Sequence, residues 1–260
     1  MRDGTAQLAA AVGQLSRRYP ELRFSWGAPD AGFPSLALLD AAHEGMLEQW
    51  LSATGQLAPG IDRKTAASYL LSILTWQLGQ ALGALYLSRL PLAPFGPQQV
   101  GVRHTLAGAP GAQALDFDFC VQLDAHGSPL DRKAMSASLV ALLTPLLEGL
   151  HRRTRLARRA MWALATDGIS AGFLSFGKRV GEANLAMAEA EAILRRPDLP
   201  LHNTRWRFVT VESGGRSEAF RLRGGCCRLY LGGHPFCTTC VLRDEPDQLA
   251  RLRAYLARSQ

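Results

Sequence analysis

Cysteine is all but missing from the first 225 residues of this 260-residue chain, where Cys120 stands alone. That distribution argues against a disulfide framework, which spreads its bridges through a small secreted chain. No GxGxxG fingerprint follows a candidate strand, and Gly224-Gly225 and Gly232-Gly233 have a different spacing and context. A nicotinamide or flavin site within the chain is therefore not expected. The amino terminus, Met1-Arg2-Asp3-Gly4, has no apolar run of signal-peptide type, and neither an internal repeat nor a low-complexity tract is present. The expected setting is cytoplasmic and reducing, peripheral at most to the inner face of a membrane. Charged residues at 20% and hydrophobic residues at 47% exclude wholesale disorder. The net charge of +7 favours anionic partners without naming one.

Hydrophobic periodicity places helices over about Thr5–Arg18 and Ser35–Leu51, with Ser35 and Asp62 as caps of the second and third. The segment from Phe24 to Pro34, rich in Gly, Pro and Asp, reads as a loop. From Ala66 to Leu87 there is no charged residue, long enough to span a bilayer. Ser68, Ser72, Thr75, Gln77 and Gln80, and the lack of flanking basic runs, favour a buried core helix and no transmembrane segment. Gly79 and Gly83 then serve close helix packing. Alternation from Leu115 to Leu123 predicts a strand in the central β segment near 114–123, with Asp116, Asp118, Cys120 and Gln122 on its polar face. A helix opened by Asp131 runs to about Leu164, with Pro145 able to kink or divide it. On that helix Arg152, Arg155 and Arg159 share one face, expected to be solvated, and Trp162 is expected in the core. A further helix covers about Glu182–Arg195. Arg205–Val211 and Glu218–Arg223 form a hairpin around Ser213-Gly214-Gly215, and a short helix starting at Pro246-Asp247 follows the cysteine segment. The fold class is α+β, a mainly helical body with a few antiparallel strands. The division is 1–200 for the helical body and 201–260 for the hairpin and cysteine region.

Four cysteines, Cys226, Cys227, Cys237 and Cys240, crowd into the last 35 residues, which points to a metal or cluster site. Four thiolates suit an iron–sulfur cluster or structural zinc. Only the second half is a CxxC; the first is a vicinal pair whose side chains diverge in extended chain. Two sulfurs on adjacent residues are hard to aim at one tetrahedral ion, and a centre with two irons offers separate attachment points. The steric argument favours the cluster and keeps zinc as the alternative. Gly224, Gly225, Gly232 and Gly233 permit close approach and unusual backbone angles, and His234 reads as a loop imidazole.

The run Arg221-Leu222-Arg223-Gly224-Gly225-Cys226-Cys227-Arg228-Leu229-Tyr230, followed by Cys237-Thr238-Thr239-Cys240, resembles the C-terminus of the FhuF-like ferric siderophore reductases. That family carries Cys-Cys, about ten residues, then Cys-x-x-Cys; nine residues intervene here. Arg158-Arg159-Ala160-Met161-Trp162 is similar to an Arg-rich segment leading into a Trp in the same family. The likeness covers about the last 40 residues. It implies a [2Fe–2S] cluster on Cys226, Cys227, Cys237 and Cys240 in a C-terminal lobe, and one-electron reduction of siderophore-bound Fe(III). No other catalytic residue is expected. The partners it implies are a ferric siderophore and a separate electron donor, a ferredoxin- or flavodoxin-like protein or a small reductant, with no nucleic acid. Arg221, Arg223 and Arg228 bracket the vicinal pair and are candidates for docking substrate or donor; the bland alternative is solvated strand-edge charge. Two other functions compete: a zinc-stabilised binding module acting on nucleic acid through the Arg-rich helix, and a [2Fe–2S] carrier or sensor.

Overall fold

The computed structural model describes residues 2–39, 44–107, 114–124 and 126–258. The fold is α+β: seven α-helices and two small sheets among the described residues. The amphipathic α1 (Arg2–Arg18) leads into a short strand β1 (Phe24–Trp26), then α2 (Glu44–Leu57) and α3 (Arg63–Leu87). Strands β2 (Val100–Ala107) and β3 (Ala114–Val121) follow. Next come α4 (Arg132–Thr154), α5 (Arg158–Arg179) and α6 (Ala183–Leu194), the hairpin β4 (Arg207–Ser213) and β5 (Arg216–Leu222), and α7 (Glu245–Arg258).

Two helix starts are fixed by the residues expected to open them. Asp62 Oδ1 accepts from the Thr65 N–H and Asp131 Oδ1 from the Ala134 N–H, both at 2.7 Å. Each satisfies one of the amide donors that a helix leaves free in its first turn. Ser35 does not cap α2; its hydroxyl accepts from Ala37 N–H at the start of a single 3-10 turn, Leu36–Leu39. Pro145 sits inside α4 without dividing it. The division comes ten residues later, where Arg155 adopts left-handed backbone (φ 56°) and ends the helix. Arg152 and Arg155 therefore do not share a helix with Arg159, and the single Arg face expected from the sequence does not form. Arg158 instead turns back onto α4 and pairs with Glu148 through two hydrogen bonds of 2.6 Å.

The loop assignment for Phe24 onward is corrected at its first three residues. Phe24–Trp26 lies parallel to β3, pairing with Phe119–Val121, while β2 pairs antiparallel on the other side. The sheet is therefore mixed, in order β1-β3-β2. This also corrects the place of Cys120. At the end of β3 both faces are covered, because the chain leaving β1 crosses the polar face there. Cys120 is 6% exposed, and its thiol donates to the Gly27 carbonyl at 3.3 Å. Burial pushes this thiol up from its ordinary range.

The core lies between this sheet and the helices. Trp50 of α2 stacks edge-on against Phe117 of β3, and both are fully buried. α3 runs through the middle with most of its residues inside. α3 and α4 are long and apolar enough to cross a membrane, and 72% and 56% of their apolar windows are buried within the protein. The closest crossing is α3 on α5. A Cβ on Gly79 would stand 2.8 Å from the Ile169 Cα, and one on Gly172 would stand 2.5 Å from the Gly79 carbonyl carbon. Backbone thus meets backbone, the role expected for Gly79. Val211 and Leu222 of the hairpin and Leu252 of α7 make a second, smaller core. The hairpin turn is Gly214-Gly215, both residues at positive φ (59° and 75°), as a two-residue turn matched to strand twist requires.

An ion pair between an exposed arginine and a buried carboxylate ties the α4–α6 side to α3. Arg132 donates two hydrogen bonds to Glu189, 2.9 and 3.0 Å, and the Tyr86 hydroxyl donates a third at 3.0 Å. The bonds from Arg132 hold the Glu189 carboxyl below its usual range against the opposing effect of burial, and the Tyr86 bond adds to them. A lowered carboxylate pKa stabilises the fold above the unfolded value, 4.5, and this contribution disappears as pH falls through the folded value. Glu189→Gln should therefore cost about 2 kcal/mol at pH 7. The gap to wild type should narrow progressively below the unfolded value. Urea unfolding of both proteins between pH 7 and pH 3 measures this; a gap that stays constant across that range would count against the pairing.

Candidate cysteine site

The cysteine segment leaves β5 at Leu222 and is drawn inward at once. Gly224 and Gly225 are buried against α5. A Cβ on Gly225 would lie 2.9 Å from the Leu164 nitrogen, and one on Gly224 would lie 2.5 Å from the Asn203 side-chain nitrogen. Here the glycines serve close approach. Their two N–H groups donate to the two oxygens of one carboxylate, Asp167, each at 2.8 Å. Asp167 is 1% exposed, on the face of α5 next to the close crossing, where a Cβ on Gly168 would collide with Thr75. The glycine-lined contact between α3 and α5 thus fixes the carboxylate, and the carboxylate fixes the chain immediately before the vicinal pair.

Asp167 also faces two cations. Arg221 Nη1 is 3.4 Å and Arg223 Nε 3.7 Å from Asp167 Oδ2, and the two arginine side chains are only 15% and 14% exposed. Arg223 donates a further hydrogen bond to Ser72 of α3 at 3.2 Å. Arg221 Nε and Nη1 and Arg223 Nε have no hydrogen-bond partner among the described residues. The two are therefore not solvated strand-edge charges. Arg228 is the most open of the three, its side chain 30% exposed and 3.4 Å from Asp62 at the start of α3.

After Arg228, which takes left-handed backbone (φ 63°), the chain makes one 3-10 turn, Leu229–Gly232, ending at Gly233 with φ 82°. Gly232 packs on Ile61 just before α3. The second cysteine pair closes a tight turn of its own, Cys240 N–H donating to the Cys237 carbonyl at 3.1 Å. α7 braces that turn. Gln248, 6% exposed, donates to the Cys240 carbonyl at 2.7 Å, and Arg243 donates to the carbonyls of Cys237 and Phe236. Arg243 is held in turn by Asp247 at 2.6 Å.

Cys227 and Cys237 are coupled to each other: their interaction draws the Cys227 thiol down against burial, with Arg223 adding to the effect. The same interaction and burial push the Cys237 thiol up. Burial also raises Cys226, while the Arg228 N–H directed at its sulfur and the Arg223 charge act the other way. Cys226 and Cys237 each feel the charge of Cys240 as well. None of the four is disulfide-bonded; Cys240 is buried and the others half-buried. Among the described residues, no group of three or more His, Cys, Asp or Glu side chains surrounds a common point in the manner of a metal shell.

The donor set suits an iron–sulfur cluster on three counts. Four sulfurs come from two short segments, and Cys227 of one is coupled to Cys237 of the other. Backbone N–H groups of Arg228 and Leu229 are directed at Cys226 and Cys227, as amides around cluster sulfurs are. Finally, two buried guanidinium groups share one carboxylate, which leaves a positive charge for an anionic centre to balance. His234 lies half-buried between the halves.

Sequence reading missed Asp167, Ser72, Arg243 and Gln248. Asp167 carried a signal: it is the only charged residue between Arg159 and Lys178, and a glycine follows it. No protein-family model matches this chain, and a search of curated proteins finds no match.

Proposed function

We propose that this protein is an iron–sulfur ferric siderophore reductase, moving one electron to siderophore-bound Fe(III). The observation that carries the reading is the buried carboxylate of Asp167, which holds the chain just before Cys226-Cys227 and has two arginines, Arg221 and Arg223, to share it. The cysteine spacing, with its likeness to the FhuF-like reductases, supports it from the sequence side. A [2Fe–2S] cluster held by Cys226, Cys227, Cys237 and Cys240 would supply single electrons at low potential. The substrate logic is coordination chemistry. Hard oxygen donors grip Fe(III) strongly, whereas Fe(II) has lower charge density, binds more weakly and exchanges faster. One electron therefore converts a trapped ion into a removable one: Fe(III)–siderophore plus an electron gives Fe(II) and free siderophore. The electron comes from a separate reduced donor protein or small reductant.

The chain's residues hold and shield. Asp167 fixes the approach to the vicinal pair, and Gln248 and Arg243 fix the CxxC turn. Arg228, more open than the other two, is the residue placed to meet an anionic siderophore or acidic donor. Large apolar side chains also surface around the loop: Tyr230, Leu231, Phe236 and Leu242, between 37% and 52% exposed.

The test begins with protein purified without oxygen. A reddish-brown solution with two irons and two acid-labile sulfides per chain is expected. Dithionite should bleach it, and ferric siderophores should restore the colour with release of Fe(II). A colourless protein holding one zinc would overturn the reading, and a coloured protein reoxidised by no ferric siderophore would make it a carrier or sensor.

A further inference from the structure

We infer that Arg221 and Arg223 are the built-in counter-charge of the cysteine site, tuning it toward the reduced state, and that Asp167 is the positioning residue that limits their surplus to one positive charge. The inference rests on the proposed function and goes beyond it by assigning roles to three residues that bind neither substrate nor donor.

The geometry is unusual for arginine. Guanidinium groups bury only when their donors are matched, because an unmatched buried charge is costly. Asp167 is 1% exposed and both its oxygens are engaged by Gly224 and Gly225, so it serves two cations at 3.4 and 3.7 Å while already accepting two amides. Three guanidinium nitrogens are left without a hydrogen bond among the described residues. Arg221 lies on β5 and Arg223 directly follows its end at Leu222, on the chain that leads to the cysteines, and their charges act on Cys226, Cys227 and Cys237. Burial pushes Arg221 down, to about 10, which still leaves it charged at neutral pH. In Arg223 burial also opposes the charge, but Asp167 and the neighbouring cysteines outweigh it and raise the value.

A centre ligated by four thiolates is anionic, and gaining one electron makes it more so. Positive charge nearby, screened little by water, favours that gain. The surplus left by Asp167 acts in this direction, and removing one arginine cancels it. A reductase supplied by a separate donor benefits, because its cysteine site must draw electrons from that donor before passing them on.

The experiment is spectroelectrochemistry on anaerobically purified full-length wild type, Arg221→Met and Arg223→Met, with Arg223→Lys as the charge-keeping variant. Each methionine variant should gain its electron about tenfold less favourably, which is ~59 mV more negative. Arg223→Lys should stay within about a third of that shift. Should Arg223→Met fail to fold, Arg223→Gln carries the same charge change and is read the same way. A wild-type protein without visible absorption would sink the proposed function and this inference together. Coloured variants whose potentials match wild type, or a lysine variant shifted as far as methionine, would overturn the inference alone.

Discussion

Asp167→Ala should unhinge the cysteine segment and lower the stability of the metal-free protein by about 3–5 kcal/mol, the usual cost of removing one partner from a buried charge pair. Three losses coincide. The Gly224 and Gly225 N–H groups lose both acceptors at a place where water has no access. Arg221 and Arg223 lose the one carboxylate paired with them among the described residues. The fixed link between α5 and the hairpin goes too, although the hairpin's own pairing and its small core with α7 remain. For a chain of this size a loss of that order is roughly a 10 °C drop in midpoint. Asp167→Asn should fall between, since its carbonyl oxygen still serves one glycine while its amide turns a donor toward the other. Thermal unfolding followed by circular dichroism, after chelation and without iron, separates this effect from cofactor binding. A control is Asp198→Ala, an exposed acid paired with Arg196, expected to leave the midpoint where it is in wild type. An Asp167→Ala protein that melts within about 2 °C of wild type would show that the carboxylate does not anchor the loop.

What the sequence made legible, and what it hid, follows from how local each signal is. The period-two pattern of β3, the Asp62 and Asp131 caps, the Gly214-Gly215 turn and the C-terminal helix were all readable, because each depends on residues within a few positions of one another. β1 was not, because three residues become a strand only by adding to the edge of β3, some 90 positions along the chain. The same tertiary contact buried Cys120, which the alternation alone assigned to a polar face. The break between α4 and α5 escaped notice because an arginine adopts the left-handed conformation there, with neither glycine nor proline to mark it. The cysteine spacing singled out four ligand candidates, but the arginines beside them look in sequence like surface charge. Only burial beside Asp167 gives them an inward role, and that depends on the glycine-to-glycine approach of α3 and α5. Gly79 and Gly83 were visible as a packing pair; their counterparts Gly168 and Gly172 on α5 were the half left unread.

The largest effect on the cysteine site should come from its own sulfurs. Cys226→Ser, Cys227→Ser, Cys237→Ser and Cys240→Ser are each expected to lose most of the bound iron and sulfide, because a serine hydroxyl stays protonated where a thiol gives up its proton to bind metal. The effects should not be uniform. Cys227 and Cys237 act on each other, so replacing either one removes a coupling between the two halves of the motif. Cys240 is the most buried of the four, with its carbonyl pinned by Gln248, so the turn should keep its shape while its ligand is lost. Cys226 stands half-buried with the Arg228 amide directed at its sulfur, and serine there should give the mildest loss. Cys120→Ser is the internal control. Its thiol lies in the β1–β3 sheet donating to Gly27, a bond that serine can also make, so iron content should equal wild type. Iron and acid-labile sulfide per chain, with the visible spectrum of each anaerobically purified variant, read all five at once. Iron loss in Cys120→Ser equal to that in the other four would move the centre away from the C-terminal quartet; full iron in Cys227→Ser and Cys237→Ser would overturn the ligand set.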